Sequence, residues 1–143
     1  MKYLLDTNVY IGAVRSDEKR ARFRQTFFPL IPATYLSAVV AYELAVSAKD
    51  RRTQTLVREF IRPMEQTGRV VTPTFSDWTT AAEVIAAIAD KERGWRSKLP
   101  ALLDDVLIAV SARQIGATLL TYNRDDFLLI RRHLDFLLRV LET

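Results

Sequence analysis

Apolar and polar positions follow one another in blocks whose period switches between that of a strand and that of a helix. Lys2 to Leu5 reads as a short strand running into Asp6-Thr7-Asn8, side chains suited to capping a helix that begins at Val9. Ser16 caps a second helix reaching toward Phe28, where the stretch from Pro29 to Pro32 breaks it. Thr34 to Ser37 is a second strand, and the run AVVAYELAVSA from Ala38 to Ala48 favours a helix. The next helix starts near Thr53 and stops at Thr67-Gly68, before a strand at Arg69 to Thr72. Ser76 is placed to cap a helix reaching Arg93 and closed by Gly94, and Gly94 to Pro100 is expected as a loop. Leu102 to Ile115 is apolar on nearly every face, so this helix should be buried, with Gly116 ending it. Thr118 to Tyr122 is then a strand, a short helix follows Asn123, and Leu137 to Leu141 forms a final strand.

Strands alternating with helices imply an α/β fold, a short parallel sheet with helices on both faces. A chain of 143 residues holds one core comfortably and two poorly, so residues 1–143 read as one domain. Parallel sheets gather ligands beyond the carboxyl ends of their strands, where loops and helix N-termini converge. Asp6 and Asn123 both stand at such ends.

Against this frame a few acidic residues are hard to explain as surface. Glu43 is the only charged residue between Arg24 and Lys49, and on a helix it shares a face with Val39, Val40, Val46 and Ser47. Asp105 has Ala101, Leu102, Ile108, Ala109 and Ala112 at helical spacing. A carboxylate in such company needs a cation, a metal or several donors. First-turn charge favoured by the helix dipole explains Asp104 and Asp105 equally, and periodicity does not choose between them. Capping alone accounts for Asp6 and for Asn123-Arg124-Asp125-Asp126; the argument for a site is the coincidence of all these positions near one sheet edge.

Composition sharpens the chemistry. There is no cysteine and one histidine, so thiolate ligation, thiol nucleophiles and disulfides are excluded, and an all-oxygen cluster selects hard Mg²⁺ or Mn²⁺ over zinc. Formal charge is +4 and the pI about 9.6, a balance that favours a polyanion through phosphate contacts. Phosphodiester hydrolysis fits both features. The first apolar stretch meets Asp6 at once and is too short for a signal peptide or a membrane span, so a cytoplasmic location is expected. His133 stands amid Arg131, Arg132 and Asp135, where a solvent-facing, non-catalytic place on a surface helix is expected.

The motifs LLDTNVYI at Leu4 to Ile11, LSAVVAYEL at Leu36 to Leu44, DVLIAVSA at Asp105 to Ala112 and LLTYNRDDF at Leu119 to Phe127 resemble the PIN-domain family. Within it they resemble the VapC-type toxins of bacterial toxin–antitoxin modules. A lone DTN would be weak; four motifs in order and at the right spacing are strong. Carried over position by position, the family's first aspartate matches Asp6, its helix glutamate Glu43, and the aspartate of its D-x-x-I-A pattern Asp105 rather than Asp104. Asp126 matches the fourth carboxylate, and Thr121 and Asn123 fit the T-x-N form of the last motif. The resemblance implies a Mg²⁺- or Mn²⁺-dependent endoribonuclease, with metal held by Asp6, Asp105 and Glu43. Asp126 would act through water or on the nucleophile, with Thr7 and Asn8 as hydrogen-bonding support. It also implies an RNA substrate, a homodimer and a small inhibitory antitoxin reaching the acidic pocket, which the apolar Phe23, Phe27, Phe28 and Leu30 are candidates to dock. Two departures stand out: no glycine near Ser47, and Asn123 where an acid would add charge. In the segment from Lys91 to Pro100, Trp95 and Arg96 are a candidate RNA clamp, set against the blander expectation of a solvated loop with one packed tryptophan.

Two other classes compete. A PIN-like module that binds RNA or protein without cutting would keep the basic charge but leave Glu43 and Asp105 without a rationale. A receiver-like phosphotransfer domain also places an aspartate at a strand end, but wants a lysine late in the chain, and none follows Lys98.

Overall fold

The computed structural model describes residues 1–142; Thr143, the last residue of the expected domain, lies outside them. Strands β1 (Tyr3–Leu5), β2 (Thr34–Ser37), β3 (Val70–Val71), β4 (Thr118–Thr121) and β5 (Leu137–Val140) form one parallel sheet in the order β3-β2-β1-β4-β5. β1 is central: Leu4 pairs with Tyr35 on one side and Leu119 on the other. Leu4, Leu36 and Leu119 are buried, as strands covered on both faces require. The chain leaves β1 toward β2 and β3, then crosses back to β4, so strand order reverses between β1 and β4. This is where parallel sheets open a crevice at their carboxyl ends. A receiver-type order, with β1 between β2 and β3, is excluded by the same observation.

Helices α1 (Thr7–Arg15), α2 (Asp17–Thr26), α3 (Ala38–Ser47) and α4 (Arg51–Gln66) fill the crossovers on the β2–β3 side. α5 (Phe75–Lys91), α6 (Leu99–Ile115) and α7 (Arg124–Arg131) serve the other half. Right-handed crossovers put the two groups on opposite faces of the sheet. Accordingly α1 packs on α2 and α4, and α6 on α5 and α7, while α3 touches both α1 and α6. α6 is the buried helix its composition foretells, with Val106 to Ala112 all inaccessible. Gly116 ends it in the left-handed region at φ +66°, and Ala117 N–H bonds back to Ala112 O at 2.9 Å. Among the described residues no helix is long and apolar enough to cross a membrane.

Several boundaries differ from expectation, each for a local reason. α1 begins at Thr7, two residues before Val9, because Asp6 itself is the cap. α4 begins at Arg51 rather than Thr53, since the Asp50 carboxylate accepts from the Thr53 N–H at 2.8 Å. α5 is capped by Thr74 and not Ser76: Thr74 and Asp77 satisfy each other's backbone N–H groups reciprocally, a box that Ser76 lacks. α5 ends at Lys91, before Gly94, and the segment expected as a loop is a 3₁₀ helix, Arg93–Lys98, leading directly into α6 at Leu99. His133 is not on a surface helix. It lies in the turn after α7, half-buried, with Nε2 shielded and unpartnered.

The early aromatic residues pack inward more than outward. Phe23 is buried and meets the rings of Tyr10, Phe27, Phe28 and Phe60 at centroid distances of 4.9–6.0 Å. Phe27 is buried as well, whereas Phe28 is about half exposed. Trp95 packs on the core with Lys98 over its ring, and Arg96 Nε donates to Ala89 O at 3.0 Å. Gly116→Ala should destabilise by about 1–2 kcal/mol, the penalty of a left-handed Cβ, lowering Tm by about 2–8 °C. Gly94→Ala, where a Cβ meets nothing and φ is not left-handed, should leave Tm unchanged in the same thermal melts.

Candidate active site

The carboxyl end of β1 delivers Asp6 into the crevice. Its backbone N–H continues the ladder to Leu120 O at 2.9 Å, which fixes the side chain beside β4. Oδ1 accepts from the Thr7 N–H at 2.8 Å, and Oδ2 accepts from the buried Thr121 hydroxyl at 2.7 Å. Burial nevertheless holds the Asp6 carboxyl above its ordinary value. The Thr121 and Thr7 donors oppose that shift, and the Asp126 charge adds to it.

Ser37 ends β2 and caps α3 through its hydroxyl, and the helix so started carries Glu43 toward the same edge. Glu43 Oε1 accepts from the Thr7 hydroxyl at 2.6 Å, so Thr7 links two acids, one through its backbone and one through its side chain. Burial raises Glu43, the Thr7 hydroxyl opposes this, and repulsion from Asp104 and Asp6 with a hydrogen-bonding Asp104 carboxyl raises it further.

From the opposite face α6 presents Asp105. Burial first, then the charges of Asp6, Asp126 and Glu43, push its carboxyl up to about 8. The Asn123 side-chain amide donates to Asp126 Oδ2 at 3.0 Å and reaches Asp105 Oδ2 at 3.5 Å, a neutral link between two acids. Asn8 completes the floor: Nδ2 donates to Thr121 Oγ1 at 3.4 Å, and Oδ1 accepts from the Tyr122 N–H at 3.3 Å. All eight residues singled out from the sequence therefore meet at one edge. Sequence reasoning set aside Asp104, which stands beside Glu43 on the lining of a cavity of about 720 Å³ with Arg15, Tyr42 and Lys49. Its signal was there, an acid one position before Asp105 on an apolar helix, but the D-x-x-I-A pattern of the resemblance chose Asp105.

Among the described residues none of Asp6, Glu43, Asp105 or Asp126 forms an ion pair with Lys or Arg. Nor do three acidic or histidine side chains lie close enough, as arranged, to hold one metal ion. The carboxylates are instead parted by hydroxyl and amide donors. Chemically the set fits a hard divalent cation: it is all oxygen, mutually repelling and without a resident positive charge.

The acidic constellation stands at the switch point of a parallel sheet whose strand order is not that of a receiver. The chain belongs to the PIN domain family, whose model matches residues 3–132. No curated protein matches it. Among solved structures it is similar to DNA-bound VapBC from Salmonella typhimurium, at 23% identity and TM-score 0.68 over 98% of each chain. It is also similar to VapBC2 from Rickettsia felis bound to a promoter DNA fragment, at 21% identity and TM-score 0.66 over 99% of this chain and 100% of that one. FitAcB from Neisseria gonorrhoeae matches at 19% identity and TM-score 0.63 over 95% of each. At such identities the likeness shows a shared fold.

An acid whose pKa is higher folded than unfolded binds its proton more tightly in the native state, so stability falls as that proton is lost. In chelator, stability should therefore be greatest at low pH and decline as pH rises from near 3.8 through about 8 on account of Asp105. Melting temperatures between pH 5 and pH 9 should slope downward for wild type. The slope should be shallower, with a higher Tm at pH 9, for Asp105→Asn.

Proposed function

We propose that this PIN domain is a Mg²⁺- or Mn²⁺-dependent endoribonuclease and the toxin of a toxin–antitoxin pair. The observation that carries the reading is the meeting of Asp6, Glu43, Asp105 and Asp126 at the sheet's switch point with no ion pair to Lys or Arg among the described residues. PIN domains are generally nucleases, and like charges are kept this close where a cation and a phosphate are to be bound together. Asp6, Asp105 and Glu43 would hold the metal. When bound, a divalent cation supplies the charge that activates water and offsets the phosphate oxygens and the leaving 3′ oxygen.

The chain's own residues do the positioning. Thr7 donates to Glu43, Thr121 to Asp6 and Asn123 to Asp126, which restrains the acids, and Asp126 would orient a water or take its proton. The +4 net charge favours a polyanionic strand. The toxin part of the reading draws on the VapBC and FitAcB structures that share the fold. On it the protein is cytoplasmic and homodimeric, and an antitoxin would answer the uncompensated acids with an arginine, whose guanidinium forks onto carboxylates.

Asp6→Asn, Glu43→Gln and Asp105→Asn should each lower RNA cleavage by about 10²–10³-fold, the scale of losing one group aimed at the reacting charge. Each should keep or raise Tm, since a repelling carboxylate is removed. Asp104→Asn should lose less; full activity in Asp105→Asn with loss in Asp104→Asn would reverse the assignment.

Cleavage should stop in excess chelator and return with Mg²⁺ or Mn²⁺ but poorly with Ca²⁺, whose longer, looser coordination misplaces water and phosphate. Undiminished cleavage in chelator overturns the metal reading. Expressed alone, wild type should arrest growth of its host and Asp6→Asn should not. Harmless yet soluble, metal-binding wild type would leave a nuclease that is no toxin.

A further inference from the structure

A second cavity, about 420 Å³, opens between α1 and α2. Its wall begins at Asn8 and Tyr122, residues already tied into the carboxylate cluster through Thr121 and the Tyr122 N–H. Its floor is apolar, with Ile11, Phe23 and Phe27, and Gly12 leaves it open because no side chain projects there. The rim carries Arg15, Lys19 and Arg22, all exposed, and no acidic residue lines it among the described residues. Arg15 and Lys19 take part in no ion pair among the described residues. Arg22 has only a 4.0 Å contact with the well-exposed Glu18. Arg15 also borders the larger cavity over Glu43 and Asp104, so the two hollows meet at one cationic side chain.

We propose that this cleft is the flanking-nucleotide site of the nuclease, seating one unpaired base of an RNA strand while Arg15, Lys19 and Arg22 hold its phosphates. The inference rests on the endoribonuclease reading and assigns where the strand leaves the cleaved bond. Apolar floor and cationic rim match the two faces of a nucleotide, a flat base beneath a charged backbone. A cationic rim with at most one long ion-pair contact among the described residues draws a polyanion by counterion release. Continuity through Asn8 sets the cleft two hydrogen bonds from Asp6, by way of Thr121, so a strand seated here continues toward the carboxylates. Gly12 is then the position that leaves room for the base. A side chain there enters the cleft and meets nothing closer than the Lys19 Cδ, 3.4 Å from an added Cβ.

The test separates binding from cleavage by measuring RNA affinity in the inactive Asp6→Asn background, using fluorescence anisotropy of a labelled decauridylate in chelator. Added to that background, Gly12→Leu should weaken binding about tenfold or more, the scale of losing one base stack, with the salt dependence unchanged. Lys19→Gln with Arg22→Gln, at exposed positions that keep the fold, should shrink the slope of log affinity against log salt by about 1.4, or 0.7 per cation on a single strand. Thermal melts confirm that each variant is folded. Unchanged affinity with Gly12→Leu and an unchanged slope in the double variant overturn the assignment. So does a result in which Gly12→Leu abolishes binding of an acidic leucine–glutamate peptide while leaving RNA affinity intact, which gives the cleft to a protein partner. Failure here with cleavage still abolished by Asp6→Asn leaves the nuclease reading standing. Wild type that binds decauridylate in this cleft but cuts no RNA retires the nuclease reading instead.

Discussion

The hydrogen bond from the Thr121 hydroxyl to Asp6 Oδ2 is the joint on which the site depends. It spans 115 positions of sequence and exists only because β1 and β4 lie side by side at the reversal of strand order. Thr121 has one proton and two lone pairs, and all three are used: it donates to Asp6 and accepts from the Asn8 amide and the Asn123 N–H. One buried hydroxyl therefore sets the positions of an acid on one strand end, an amide on the first helix and the turn that begins the last helix. A shift of either strand by one residue would turn Thr121 to the opposite face and dissolve all three contacts together.

Around this joint the molecule solves an electrostatic problem with neutral donors. Buried acids are stabilised elsewhere by arginine or lysine, yet here Thr7, Thr121 and Asn123 do the holding, and repulsion remains. A resident cation would quench that repulsion but also fill the space a substrate or metal needs. The stability forgone at the sheet edge is offset by the core beneath it. There α6 is inaccessible from Val106 to Ala112, and an aromatic cluster centred on Phe23 locks α1, α2 and α4 together. Preorganised acids over a rigid base are what differential stabilisation of a charged transition state requires.

Part of this was legible from local pattern. Glu43 and Asp105 are charges on apolar helices, and Asp6 and Asn123 follow strands, but periodicity left Asp104 and Asp105 tied and capping alone accounted for Asp6 and Asn123, so only the resemblance to a family singled out the set. The parallel α/β class followed from alternation alone. What escaped depended on partners distant in sequence or on small local preferences. Thr74 beats Ser76 as a cap only because Asp77 stands three residues beyond it, and the 3₁₀ segment from Arg93 to Lys98 has no period long enough to read. Phe23 and Phe27 looked surplus to the core until Phe60, arriving from α4, supplied the surface they pack on. Arg15 gave no signal at all: an exposed arginine ending a helix is ordinary, and its place between two cavities is a property of the fold.

Asn123 shows how finely the charge is set. Its amide carries two protons, and the structure directs Nδ2 toward both Asp126 and Asp105. An aspartate there would lose both donations and stand as another like charge about 3 Å from Asp126, where such pairs cannot both stay ionised. The asparagine thus does two things that an acid cannot: it links two carboxylates and keeps the cluster one charge less negative. On the nuclease reading that lowers the positive charge needed to balance the site when a phosphate arrives, and so favours one divalent ion over two. The asparagine that lowers the charge of the cluster is, in this chain, also the residue that links its second half.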